Sequence, residues 1–300
     1  MFSIEIDKIL SKKSIVENDL LNEEIYLSEF IKMSPQGALI SPFIIGKGKR
    51  VRSILYFYFL NKFSNKHIDD DIKYKSIALL EILHFASIIH DDIVDNNFNR
   101  RNKESFFKKY GKKQSILIGD YILIKTLNEF LKLNHANKIV QNLFVKSCQS
   151  TAYGAILEQI LTDQSTISDY LKVASLKTSP FFKISCFLGS YFGSQNFETS
   201  KKAAIFGICF GVLFQVQNDI NCYKFKNFEE SEDYVQKNMT LPIFIIRDYM
   251  GYNINQFNKT SHDGYQFIKN LIFSENFEKI LKRLLKKYID IVHKELKLKN

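Results

Sequence analysis

Four polar residues interrupt an apolar run between Glu81 and Arg101, EILHFASIIHDDIVDNNFNRR, and their spacing puts them on one face of a helix: His84, Ser87, Asp91 and Asp95. At 3.6 residues per turn the two carboxylates lie about 40° apart, and His84 sits almost directly beneath Asp91 two turns earlier. The flanking Ile82, Leu83, Phe85, Ile88, Ile89, Ile93 and Val94 are apolar, so the helix is predicted to be buried around most of its girth. Two carboxylates a turn apart in such a setting repel each other and lose hydration, which costs several kcal/mol unless a cation or a water-filled cavity compensates. A hard divalent metal is the simplest compensation. Oxygen ligands at this spacing suit Mg2+, which keeps most of its waters and bridges to substrate phosphates.

A second cluster is basic. In GKGKRVRSILYFYFLNKF, Gly46 and Gly48 open a turn, and Lys49, Arg50 and Arg52 stand at the start of an apolar helix. Cations there oppose the helix macrodipole. A docked anion would remove the conflict and three solvated basic residues would tolerate it; spacing alone leaves both readings open.

The elements that must hold these groups are helices. With 4 Pro and 12 Gly in 300 residues there are few breakers, and no stretch alternates strictly between turn residues. Residues 14–34 read as a first helix, followed by a loop carrying Pro35, Gly37 and Pro42. The central helix runs from about Ile72 to Asp95. Asn96, Asn97 and Asn99 then end it and fold the chain back, returning Arg100 and Arg101 toward the carboxylates. Amphipathic helices follow over Lys112–Leu133 and Ala136–Leu161, Ser168 is the expected cap of the next, and a hinge before Pro180 separates it from its successor. A second all-round apolar helix spans residues 198–224, with its polar exceptions Gln215, Asn218, Asp219 and Cys222 on one face. An acidic loop, FKNFEESEDYVQKNMTLP, and three C-terminal helices complete a single domain, residues 1–300, without linker or internal repeat.

Hydrophobic content of 45% supports a large core. The formal charge of +10 is spread along the chain, which argues against nucleic-acid binding. Only Lys279–Lys299 is a basic amphipathic run, read as a solvated helix face, with weak attraction to anionic lipid as the alternative. Cys148, Cys186, Cys209 and Cys222 form no CxxC pair, so neither zinc nor disulfides are indicated and a reducing compartment is expected. No secretory signal pattern and no run of 18 consecutive apolar residues occur, giving a cytoplasmic expectation with at most peripheral membrane contact.

Taken in order, the motifs resemble those of the trans-isoprenyl diphosphate synthases, the polyprenyl synthetase family, over nearly the whole chain. DDIVDNNFNRR fits the family's first aspartate-rich motif in full, and GKGKRVRS fits GGKRxRP with Lys47 and Ser53 as departures. HFASIIHDD, GDYIL, KTSPFF and MTLP fall where the family has counterparts. The resemblance implies an all-α isoprenoid synthase fold of roughly a dozen helices around a central cavity, usually a homodimer. It also implies two aspartate-rich motifs facing each other across the mouth, three Mg2+ ions, and repeated condensation of isopentenyl diphosphate with an allylic diphosphate into a long all-trans chain.

By the same resemblance Asp91 and Asp95 hold Mg2+ with Asp92 in support, and Asn218 and Asp219 form the opposite metal site. Lys49, Arg52, His84 and Arg101 grip isopentenyl diphosphate; Arg100, Lys177 and Thr178 hold the allylic diphosphate, with Gln215 beside them. Bulky aromatics at the fifth and fourth positions before the first Asp stop elongation early in this family; here Ala86 and Ser87 stand there, so a long product is expected. Phe85, next door, is read as core packing.

Departures concentrate in the second half. The expected FQxxDDxxD is FQVQNDINC, with Asn218 and Cys222 replacing carboxylates, so a third metal should bind more weakly. The GK before xTLP becomes Lys237 and Asn238, and GExxQ becomes GAILE, with Glu158 in place of Gln. Three readings follow: a long-chain prenyltransferase with a drifted second site, a catalytically impaired partner subunit of a heteromeric synthase, and a class I terpene cyclase, whose NDxxSxxxE motif NDINCYK partly resembles. Cys222 and Lys226 depart from that last pattern at two of its three ligands.

Overall fold

The computed structural model describes residues 11–34, 37–44, 48–64, 68–100, 103–133, 138–226, 228–236, 238–253 and 261–297. Nearly all of these are helical. A short 3-10 turn, Ser11–Val16, leads into α1 (Glu17–Lys32), followed by α2 (Gly37–Ile44), α3 (Val51–Phe63) and α4 (Asp70–Val94). A two-residue hairpin, β1 (Asn99–Arg100) with β2 (Lys103–Glu104), precedes α5 (Phe106–Leu131) and α6 (Lys138–Glu158). Then come α7 (Ile167–Lys177), α8 (Ser179–Ser194), α9 (Phe197–Asn221), the single turn α10 (Glu232–Val235), α11 (Leu241–Asp248), α12 (His262–Ile272) and α13 (Glu275–Lys297).

The chain forms two compact units: Ile9–Lys146 with Ile184–Ala204, and Ser147–Lys183 with the residues from Ile205 onward. In the first, α4 packs on α1, α3 and α5. It is apolar on nearly every side, with Ile77, Leu80, Ile82, Leu83 and Ile89 at 1% exposure or less, as its sequence predicts. Asp69 caps its start, accepting from the Asp71 and Ile72 amides, and Asp95 is its last cap. In the second unit, α11 packs on α7, α12 and α13, and Phe182, Phe210 and Phe214 form an aromatic cluster.

Three local readings are corrected. Pro42 lies inside a helix, α2, rather than a loop; its missing amide costs an interior hydrogen bond, but Ile40 and Ile44 are buried by the helical form. The cap of α7 is Thr166, not Ser168: Thr166 and Asp169 form a reciprocal capping box, each side chain accepting from the other's amide. The helix expected from Lys112 has a short helical preface from Phe106, broken at Gly111, whose φ of 78° only glycine adopts readily.

Helix α9 is long and apolar enough to cross a membrane, but 72% of its most apolar window is buried within the protein. Helix α13 buries Phe277, Leu281, Leu285 and Val292, and turns Lys279, Lys282, Lys286 and Lys287 to solvent.

Candidate active site

The first unit carries the intact aspartate motif at the C-terminal end of α4. Asp91 and Asp95 are half-buried, as are His84 and Ser87 on the same face; the Ser87 hydroxyl donates to the His84 carbonyl at 2.7 Å and lies 3.4 Å from its Nδ1. One residue on from Asp91 is a rotation of about 100°, and Asp92 accordingly points inward, with 1% exposure. There it meets Arg100: Nε donates to Oδ1 at 2.8 Å, and Nη2 lies 2.7 Å from the same oxygen. Burial raises the Asp92 carboxyl above its ordinary value, with Arg100 pulling it back.

The return of Arg100 depends on the asparagine-rich turn. Asn96 adopts φ 49°, the Asn97 amide donates to the Asp92 carbonyl at 2.8 Å, and the Ser105 hydroxyl donates to the Asn97 carbonyl at 2.7 Å before capping α5. Arg101 lies outside the described residues, as do Lys237, Gly46, Lys47 and Pro35. Ala86 is fully buried and Phe85 is core, edge-on to Phe106. In GDYIL, Asp120 pairs with His90 at 3.2 Å. Lys49 is exposed at the turn before α3, and Arg52 is half-buried.

Asp91 and Asp95 fit a metal of the Mg2+ kind: two half-buried carboxylates one turn apart, with the third carboxylate withdrawn into an ion pair. Among the described residues no three His, Cys, Asp or Glu side chains gather into a closed metal cage. An ion that keeps its waters and shares substrate oxygens needs none.

The second unit carries the degenerate motif, and its groups are engaged with one another. Asp219 is 2% exposed; Tyr170 donates to one carboxylate oxygen at 2.5 Å and the Gln215 amide donates to the other at 2.8 Å. Thr178 in turn donates to Gln215 at 2.7 Å. Lys177 is ion-paired with Glu158, the residue standing where the related pattern has Gln. Asn218 is exposed and Cys222 half-buried. Gly154 makes the Lys177 contact possible, because a Cβ there would lie 2.3 Å from the Lys177 backbone nitrogen.

Sequence reasoning missed Tyr170 and the pairing role of Glu158. A faint signal existed for the first: Tyr170 is seven residues before Lys177 and so shares its helical face.

The Polyprenyl synthetase family model matches residues 38–259. The hexaprenyl pyrophosphate synthase of Saccharolobus solfataricus is 33% identical over 193 residues, 64% of each chain. Heptaprenyl diphosphate synthase component 2 of Bacillus subtilis is 27% identical over 240 residues, 76% of this chain and 65% of that one. The chain thus spans less than two thirds of the length of these curated relatives. Among solved structures, a polyprenyl synthase from Caulobacter crescentus, complexed with calcium and isoprenyl diphosphate, superposes with a TM-score of 0.82 at 20% identity, covering 96% of this chain and 90% of that one. The all-α fold is therefore that of the polyprenyl synthases.

Proposed function

Since this chain belongs to the polyprenyl synthetase family, we propose that it is a Mg2+-dependent prenyltransferase that repeatedly condenses isopentenyl diphosphate with an allylic diphosphate into a long all-trans polyprenyl diphosphate. The observation that carries the reading is the end of α4, where Asp91 and Asp95 share a half-buried face while Arg100 holds Asp92 inside. Three Mg2+ ions, held by Asp91 and Asp95 and more weakly by Asn218 and Asp219, would supply the positive charge that a departing diphosphate needs.

The chain's own cations do the rest. Arg100, Lys177 and Thr178 hold the allylic diphosphate, with Gln215 orienting Thr178; Lys49, Arg52, His84 and Arg101 hold isopentenyl diphosphate beside it. The isopentenyl double bond attacks the allylic carbon as its bond to diphosphate oxygen breaks, and the proton lost from the new chain passes to the released diphosphate. Ala86 and Ser87 put no bulky aromatic where it would stop the growing chain. A homodimer working in the cytoplasm, with peripheral membrane contact through its apolar product, completes the proposal.

A second reading, a partner subunit of a heteromeric synthase, is favoured by the internally engaged Asp219 and Lys177 and by likeness to a protein called component 2. One assay separates the two. Purified chain with Mg2+, isopentenyl diphosphate and allylic starters of several lengths is expected to extend the starter, read by product length. Silence alone, with activity restored by a related subunit, transfers the conclusion to the second reading.

A further inference from the structure

Ser53 stands where the pattern GGKRxRP has proline, and its hydroxyl is fully buried between two carboxyl groups from different helices. Its Oγ lies 2.9 Å from Glu23 Oε1, on α1, and 3.0 Å from Glu81 Oε1, on α4. A hydroxyl has one proton to donate. Lying between the two carboxyl oxygens, that proton ties α1 and α4 together at the start of α3.

Glu23 is the more buried of the two. It has no exposure, and its Oε2 is buried with no hydrogen-bond partner among the described residues. Burial, offset in part by Arg50 and reinforced by Glu81, pushes its carboxyl up to about 7. The Arg50 guanidinium beside it is what favours the charged form there.

What the cluster holds is the turn before α3. Arg50 Nη2 lies 2.7 Å from Glu23 Oε1, and the Arg50 backbone is left-handed, φ 52° and ψ 35°. That conformation costs a residue with a Cβ about 1–2 kcal/mol, and no side-chain cap bond at this helix start offsets it. The contact that ties Arg50 down is its ion pair with Glu23. Lys49 directly precedes this strained residue, and Arg52, two residues after it, is tied through its carbonyl to the Ser185 hydroxyl.

We propose that Glu23, Ser53 and Glu81, acting through Arg50, are positioning residues that hold the Lys49–Arg52 turn in the shape that receives isopentenyl diphosphate. The inference rests on the reading of Lys49 and Arg52 as the grip on that ligand. Without the brace Arg50 relaxes toward right-handed φ, and Lys49 swings away from the direction it now takes. The allylic half, built on Arg100, Lys177 and Thr178, does not depend on it.

Calorimetric titration of the full chain tests this, using isopentenyl diphosphate and, separately, a non-reactive allylic diphosphate analogue. Glu23→Gln and Ser53→Ala are each expected to bind isopentenyl diphosphate about tenfold more weakly, the equivalent of one lost hydrogen bond. Both should bind the allylic analogue as the wild type does, which also certifies the fold. Ser53→Ala, the smaller change, decides the matter if Glu23→Gln does not fold. Unchanged isopentenyl diphosphate affinity, or equal weakening toward both ligands in folded protein, overturns the brace. Lys49→Ala in the same titration keeps the two claims apart. If it binds isopentenyl diphosphate like the wild type, or the wild type does not bind it, the underlying reading falls and takes the brace with it.

Discussion

Tyr170 gives Asp219 what a cation would otherwise supply, a positive hydrogen at short range on an otherwise buried charge. The consequence is competitive: any metal at Asp219 must share an oxygen with that phenol or with the Gln215 amide. Tyr170→Phe removes the competitor while keeping the ring, and is expected to lower the Mg2+ concentration for half-maximal turnover several-fold; an unchanged Mg2+ profile would mean that Asp219 faces no metal. Asn218→Asp should act in the same direction by adding charge. The face of His84, Ser87, Asp91 and Asp95 was readable from periodicity because all four lie within twelve residues of one helix. Tyr170 with Asp219, and Glu23 with Ser53, are 49 and 30 residues apart, and contacts of that range leave no local spacing to read.

Helices are where sequence reasoning carried furthest. Helix α4 begins two residues before the expected Ile72 and ends where the asparagines predict. The breaks were harder, because a proline or a serine marks a boundary only on average: Pro42 sits within α2, and Thr166 outcompetes Ser168 as a cap because Asp169 completes its box. Helix-to-helix approach was not legible at all. Gly154 lets α6 come against the end of α7 with no room for a side chain, which brings Glu158 and Lys177 together. Gly154→Ala should therefore cost about 1–3 kcal/mol in urea unfolding, as overpacking does, and should weaken allylic diphosphate binding. Retention of both would mean that this approach is softer than the backbone contact indicates.

At the scale of the molecule, low breaker content and motif order together made the all-α class and the family readable, since each is a property of the chain as a string. The division into two compact units was not, because it falls inside α6, α8 and α9, with no change of composition to mark it. One feature of the first unit reaches the stability of the protein. Helix α4 is 25 residues long, has no basic residue in its last turn, and ends in Asp91, Asp92 and Asp95, at the pole where its macrodipole is already negative. In the proposed enzyme the divalent ion is then also a helix cap, and so a folding ligand. The melting temperature should climb with the logarithm of Mg2+ concentration above its dissociation constant, and not with NaCl at equal ionic strength. Asp91→Asn should flatten that climb; a melting temperature indifferent to Mg2+ would show that the helix end is stable without an ion. Cells short of magnesium would on this account lose the protein itself to unfolding and turnover, as well as its catalysis.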